Sequence, residues 1–167
     1  MNPGRAWIFG DNVDTDVLAP GKYMKSGIDE LARHCLEAVE PGFAAGVRAG
    51  DVVVGRRNFG TGSSREQAPQ ALKHLGVAAL VAESFAGLFY RNAINLGLPA
   101  VVCADARRIR AGDRVRVDPE AGCIENLTSG ESLACEPIPG HLMQMVRDGG
   151  LVPHLEKRLR AQKDPTP

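Results

Sequence analysis

Asp51-Val52-Val53-Val54-Gly55, Arg56-Arg57-Asn58-Phe59-Gly60-Thr61-Gly62-Ser63-Ser64-Arg65-Glu66 and Gln67-Ala68-Pro69 follow one another without a break, and this passage decides the fold. Three consecutive valines between Asp51 and Gly55 read as a short strand buried on both faces. A loop over residues 56–62 follows, with glycine at 60 and 62. A helix then runs to about Leu75 and is closed by Gly76. Its start has two readings. Ser63-Ser64-Arg65-Glu66 matches a capping box, whereas Pro69 favours the first turn and a start nearer Gln67. In either case strand, loop and helix aim backbone N–H groups and the positive end of a helix dipole at one point. A carboxylate or phosphate is stabilised in such a place.

Outward from this unit, residues 77–82 and 98–103 read as buried strands. Between them lies a helix over 85–96, with Ser84 as its cap and Gly97 as its stop. The order strand–loop–helix–strand–helix–strand implies parallel neighbours joined by helical crossovers. Upstream, Ala6-Trp7-Ile8-Phe9 is a strand ended by Gly10-Asp11-Asn12, and residues 13–20 alternate weakly in polarity. Ile28, Leu31, Ala32, Cys35 and Leu36 have helical spacing and predict a helix over 28–38, broken by Pro41-Gly42.

After Asp105 the texture changes. Residues 114–117 and 122–125 flank Asp118-Pro119-Glu120-Ala121 as a hairpin, and short strands continue to Pro139. A helix around 141–147 stops at Gly149-Gly150, and the polar tail over 157–167 is expected to fray. The expectation is one α/β domain over residues 1–167, a parallel-sheet core followed by a β-rich C-terminal half.

Composition removes several function classes. Twenty basic and twenty acidic residues cancel, so no global field recruits nucleic acid or an anionic membrane. Arg107, Arg108 and Arg110 read as a solvated face. No stretch approaches the ~20 apolar residues of a membrane span, and Met1-Asn2-Pro3-Gly4-Arg5 lacks the pattern of a signal peptide, so the cytoplasm is the expected compartment. Cys35, Cys103, Cys123 and Cys135 are far apart, without a C-x-x-C pair, and read as reduced, mostly buried thiols. They predict no cubane cluster site in this chain.

Two loops hold polar residues a core does not need. Gly10-Asp11-Asn12-Val13-Asp14-Thr15-Asp16 is acidic but lacks the EF-hand order and its terminal glutamate; turn formation by Asx side chains is the alternative. The loop over 58–66 is not a P-loop, because no Gly-Lys-[Ser/Thr] follows. Nor is it a nucleophile elbow, because Gly-x-Ser-x-Gly is absent.

Three blocks in order resemble the swivelling domain of the aconitase superfamily. They are Gly10-Asp11-Asn12-Val13-Asp14-Thr15-Asp16, then Phe59-Gly60-Thr61-Gly62-Ser63-Ser64-Arg65-Glu66-Gln67-Ala68-Pro69, then Ser84-Phe85-Ala86-Gly87-Leu88-Phe89-Tyr90-Arg91-Asn92-Ala93-Ile94-Asn95-Leu96-Gly97-Leu98-Pro99. The chain length is similar to the stand-alone small subunits of isopropylmalate-isomerase type. The resemblance implies a β/β/α swivelling fold and a hydro-lyase of leucine biosynthesis, which converts 2-isopropylmalate to 3-isopropylmalate by dehydration and rehydration. It also implies a larger partner subunit, in a heterodimer or heterotetramer, that carries a [4Fe–4S] cluster; none is expected on this chain alone.

Residue by residue, the resemblance makes Ser63 the catalytic base, acting as an alkoxide, and Arg65 the binder of a substrate carboxylate. Ser64 and the backbone of Gly62 support the turn, and Asp16 is an active-site aspartate without an assigned task. Lys25, in Lys22-Tyr23-Met24-Lys25-Ser26-Gly27, falls in the loop that reads the substrate's variable group. Its side chain either faces substrate or lies in solvent with only its stem in contact. Arg91, Asn92 and Glu66 have structural roles as an alternative to site roles. Thr61 and Gln67 depart from the cysteine and histidine that relatives often carry. Homoaconitate, 2,3-dimethylmalate or citraconate-type acids are therefore alternative substrates. A non-catalytic stabilising subunit and an independent anion-binding module are the alternatives of other classes.

Overall fold

Val52–Val54 form β2, and all three side chains are buried, as a central strand covered on both faces requires. The computed structural model describes residues 1–163. β2 lies between β1 (Gly4–Ile8) and β3 (Ala79–Ala82), and β3 is flanked by β4 (Ala100–Val102). All three pairings are parallel, in the registers Ala6↔Val52, Val52↔Ala79 and Leu80↔Ala100. On its other side β1 pairs antiparallel with β5 (Arg114–Asp118), which continues into β6 (Cys123–Asn126) and β7 (Ser132–Ala134). The seven-stranded order β4-β3-β2-β1-β5-β6-β7 is thus a parallel core with an antiparallel extension, in agreement with the sequence reading of the fold.

Alternation along the strands sends the apolar side chains into two clusters. Val53, Leu80 and Ala82 face one; Val52, Val54, Ala79, Val81 and Val101 face the other. The first is covered by α1 (Thr15–Leu18), α2 (Ile28–Arg33) and α3 (Phe43–Gly46), all between β1 and β2, and by the crossover helices α4 (Gln67–His74) and α5 (Gly87–Asn95). The second is closed by the hairpin residues Val115, Val117 and Ile124 and by α6 (Gly140–Arg147).

Several local expectations are corrected. Residues 13–20 do not extend: the Asp14 carboxylate accepts the Val17 N–H at 2.8 Å and caps the helical turn α1, so a local cap overrides a weak alternation. The helix expected over 28–38 stops at Arg33; beyond it Leu36 adopts φ +61 and gives its N–H to Val17 O at 2.9 Å. α4 begins at Gln67 with Pro69 in its first turn, and Glu66 makes no capping bond, so the capping-box reading is set aside. Ser84 does not cap α5. Its Oγ accepts the Asn58 N–H at 2.8 Å, and the helix starts at Gly87.

The tail is helical as far as it is described. α7 (Leu151–Lys163) includes residues 157–163, which the sequence expected to fray; residues 164–167 lie outside the described part. Asp148 clamps its first turns by accepting from His154 at 2.7 Å and Lys157 at 2.7 Å. Among the described residues no helix is long and apolar enough to cross a membrane.

Candidate active site

The loop that leaves β2 is stitched to both of its neighbours, and this brings the three sequence blocks together. Toward the first block, Asn12 N–H donates to Arg57 O at 2.8 Å, Gly60 N–H to Val13 O at 2.7 Å and Thr15 N–H to Thr61 O at 2.9 Å. Toward the third, Phe59 N–H donates to Ser84 O at 3.0 Å and Ala86 N–H to Phe59 O at 2.9 Å. The Asp11 carboxylate accepts the Arg57 N–H at 2.9 Å, and Asn58 Nδ2 donates to Asn12 Oδ1 at 3.1 Å. Both asparagines have left-handed backbones, φ +55 and +57, a conformation their short polar side chains tolerate. Phe59 anchors the loop from below, packing edge-on against Phe89 at 5.5 Å between ring centres. Gly60 is required there: φ is +82 and a Cβ would lie 2.0 Å from Phe89 Cγ.

Past Gly62, at φ +104, the chain turns so that Ser63 faces α1. The Ser63 N–H donates to Thr15 Oγ1 at 3.1 Å, and the two hydroxyl oxygens are 3.1 Å apart. Ser63 is exposed, whereas Thr15 is buried. Arg65 forms an ion pair with Asp16, and its Nη1 also donates to Ala19 O at 3.0 Å. The Nε and Nη2 positions of Arg65 have no protein acceptor among the described residues, so one edge of the guanidinium fork is open to a carboxylate. The Ser64 carbonyl accepts from Asn92 Nδ2 at 3.2 Å, which gives Asn92 a loop-holding position. The amides of Ser64, Arg65 and Glu66 donate to no protein acceptor among the described residues. The surface therefore offers a hydroxyl, an open guanidinium edge and unpaired N–H groups ahead of a helix, suited to holding an anionic oxygen.

The sequence candidates fare differently. Ser63, Arg65, Asp16, Gly62 and Ser64 converge on this surface. Asp16 gains a position that spacing did not supply, as the partner of Arg65. Lys25 is exposed between the short helical turn Gly21–Tyr23 and α2, and no ion pair or hydrogen bond ties it to the others. Beside it, Tyr23 stacks on His34 with ring centres 3.6 Å apart, and the His34 hydrogen bond to Glu37 raises its pKa above the usual 6.5. Glu66 and Arg91 are exposed. Arg107 and Arg108 are surface residues paired with Glu83 and Glu131, in keeping with a solvated face. Thr15 was not singled out from sequence; a threonine between two aspartates carries no signal of its own until the serine loop folds over it.

Cys35 and Cys103 are buried in the apolar clusters on opposite faces of the sheet, so these two thiols do not converge on one centre, and burial pushes both up, with Cys135 raised to about 12. Among the described residues no group of three or more His, Cys, Asp or Glu side chains is placed to hold a metal.

Comparison with known proteins identifies the family. Residues 46–105, which span β2, the serine loop, α4, β3, α5 and β4, match the aconitase C-terminal domain. The methanogen homoaconitase small subunit of Methanothermobacter thermautotrophicus is 52% identical, over 93% of this chain and 91% of that protein. The 3-isopropylmalate dehydratase small subunit 1 of Thermotoga maritima is 45% identical, over 94% and 96%. The isopropylmalate/citramalate isomerase small subunit of Methanocaldococcus jannaschii is 45% identical, over 93% and 94%. A crystal structure of 3-isopropylmalate dehydratase from that organism superposes with a TM-score of 0.92 at 42% identity, covering 97% of each chain.

Proposed function

Because the chain belongs to the family of 3-isopropylmalate dehydratase small subunits, in the aconitase superfamily, we propose that it is the small subunit of a hydro-lyase that interconverts 2- and 3-isopropylmalate. The observation that carries the reading is the convergence of Ser63, the open edge of Arg65 and the free amides of residues 64–66 on one exposed surface. A larger subunit would hold the [4Fe–4S] cluster, which when bound would supply a Lewis acid for the substrate hydroxyl. This chain supplies the opposite side of the reaction. Ser63 Oγ, as an alkoxide, takes the proton from the carbon next to the one that loses the hydroxyl, and in the hydration step it delivers a proton to the carbon that carried the hydroxyl. A serine hydroxyl ionises near neutral pH only if its oxygen is held by donors, and the amides of residues 64–66, which donate to no protein oxygen among the described residues, are free to hold an anionic oxygen of the substrate beside it. Arg65 holds a substrate carboxylate through Nε and Nη2 while Asp16 and Ala19 O fix its Nη1.

A second reading keeps this chemistry and changes the acid. Lys25 is exposed without a protein partner among the described residues, and a relative at 52% identity is named a homoaconitase subunit. An ammonium at the specificity loop suits an additional carboxylate better than an isopropyl branch, against which it would be desolvated unpaired.

The test is co-expression with the cluster-bearing subunit and anaerobic assay against 2-isopropylmalate, homocitrate, citramalate and 2,3-dimethylmalate. The isolated chain is expected to be inactive. Ser63→Ala in the complex lowers kcat at least ~10²-fold with little change in KM. Equal turnover in mutant and parent complexes defeats the assignment and leaves a stabilising subunit.

A further inference from the structure

Thr15 is a buried hydroxyl to which the reading above gives no task. It is 2% exposed at the start of α1, and its own N–H is spent on Thr61 O at 2.9 Å. Its Oγ1 has two neighbours on the serine loop, the Ser63 nitrogen at 3.1 Å and Ser63 Oγ at 3.1 Å. The amide can only donate, so Thr15 Oγ1 accepts there. The threonine hydroxyl has one hydrogen to place, and Ser63 Oγ is the one acceptor it meets among the described residues. If Ser63 were the donor instead, the Thr15 hydrogen would be buried without a partner, at the penalty of an unmade hydrogen bond.

We infer that Thr15 is a positioning residue that donates its hydroxyl hydrogen to Ser63 Oγ, while its oxygen fixes the Ser63 amide. The inference rests on the proposed role of Ser63 as the base. The donated bond strengthens when Ser63 is ionised, because hydrogen bonds to a charged acceptor are roughly twice as strong as neutral ones. Thr15 keeps its proton throughout. The proton that moves is the one exchanged between the substrate carbon and Ser63, and with Thr15 donating from behind, the Ser63 hydrogen is left on the open side of the oxygen. Gly62 makes the contact sterically possible: a Cβ there would stand 3.0 Å from Thr15 Oγ1 at a backbone φ of +104.

The experiment compares Thr15→Val, Thr15→Ser and Ser63→Ala in the two-subunit complex, on whichever hydroxy-acid the parent complex turns over fastest. Thr15→Val keeps the shape and removes the donor, and kcat should fall about 10²-fold, the lower range for one oxyanion donor. KM should stay within about threefold, because Thr15 touches Ser63 and not the substrate, and its donated bond acts on kcat by raising the fraction of Ser63 that is ionised. Thr15→Ser restores the donor and should recover at least about tenfold of the loss, a scale set by the same donor effect. Should Thr15→Val fail to assemble, Thr15→Ala replaces it with the same expectation. If Ser63→Ala collapses turnover while removing the Thr15 hydroxyl does not, the inference is overturned and Ser63 keeps its role. If serine at 15 recovers nothing, or the loss is all in KM, Thr15 is only a packing residue. If Ser63→Ala is fully active, the base assignment itself is wrong.

Discussion

Alanine at Gly60 tests whether the serine loop is held by its floor. The perturbation has two parts, both set by geometry. At φ +82 an L-residue is in the left-handed region, which disfavours alanine by ~1–2 kcal/mol. The new Cβ would also lie 2.0 Å from Phe89 Cγ and 2.4 Å from Phe89 Cβ. These atoms are at the root of the ring and cannot swing clear. Phe89 is itself 2% exposed and wedged against Phe59, which is 1% exposed. Overpacking of such a site costs ~1–3 kcal/mol, so Gly60→Ala should destabilise by ~2–5 kcal/mol in all. At this chain size each kcal/mol lowers Tm by ~2–4 °C, and the melt should drop by ~4–20 °C. Thermal denaturation of the isolated chain reads it directly. Gly10→Ala is the control, because a Cβ there meets nothing within 4 Å and should stay within ~0.5 kcal/mol of the parent. A Gly60→Ala melt within about 1 °C of the parent, or an equal drop in both variants, would refute the packing argument, since the conversion leaves no room for either.

Two further outcomes are expected. Lys25→Val should raise relative kcat/KM for 2-isopropylmalate and lower it for an acid with an extra carboxylate, a swing of ~1–3 kcal/mol; an unchanged preference across the panel removes Lys25 from substrate choice. The Asp148 carboxyl is held down to about 2 by the hydrogen bond from Lys157 and then that from His154. A depressed folded pKa stabilises above the unfolded value near 3.9 and is lost as pH falls from ~4 toward ~2. Asp148→Asn should therefore melt below the parent at pH 7, and the gap should narrow as pH falls through ~4 toward ~2; a gap as wide at pH 2 as at pH 7 contradicts the linkage.

The parallel core was legible because burial on both faces demands what Val52-Val53-Val54 displays, and because each crossover helix is followed by its own glycine stop, Gly76 and Gly97. The meeting of the three blocks on one surface was legible only through resemblance. Local competition defeated the rest. Asp14 caps a turn in a segment whose polarity alternates like a strand, and Leu36 bends a helix whose apolar spacing continues past the bend. Ser84 has the right chemistry for a helix cap but spends it on Asn58, a partner in the loop that leaves β2. For the same reason the Arg65–Asp16 pair and the Thr15–Ser63 contact have no signature in sequence: each joins residues that only the fold makes neighbours.

The place of β1 in the sheet has a consequence for how the protein is made. This strand precedes both β2 and β5 in the chain, yet it ends between them, with Ala6 opposite Val52 and Gly4 opposite Val115. Through translation of the stretch that supplies the serine, the arginine and their crossover helices, one edge of this strand has no ladder. Exposed edges of that kind are templates for pairing with other chains, and non-local closure is the slow part of forming a sheet. The antiparallel strands β5 to β7 cover that side of β1, so the strand beside the serine loop's own β2 is interior and the sheet's open edges are moved out to β4 and β7.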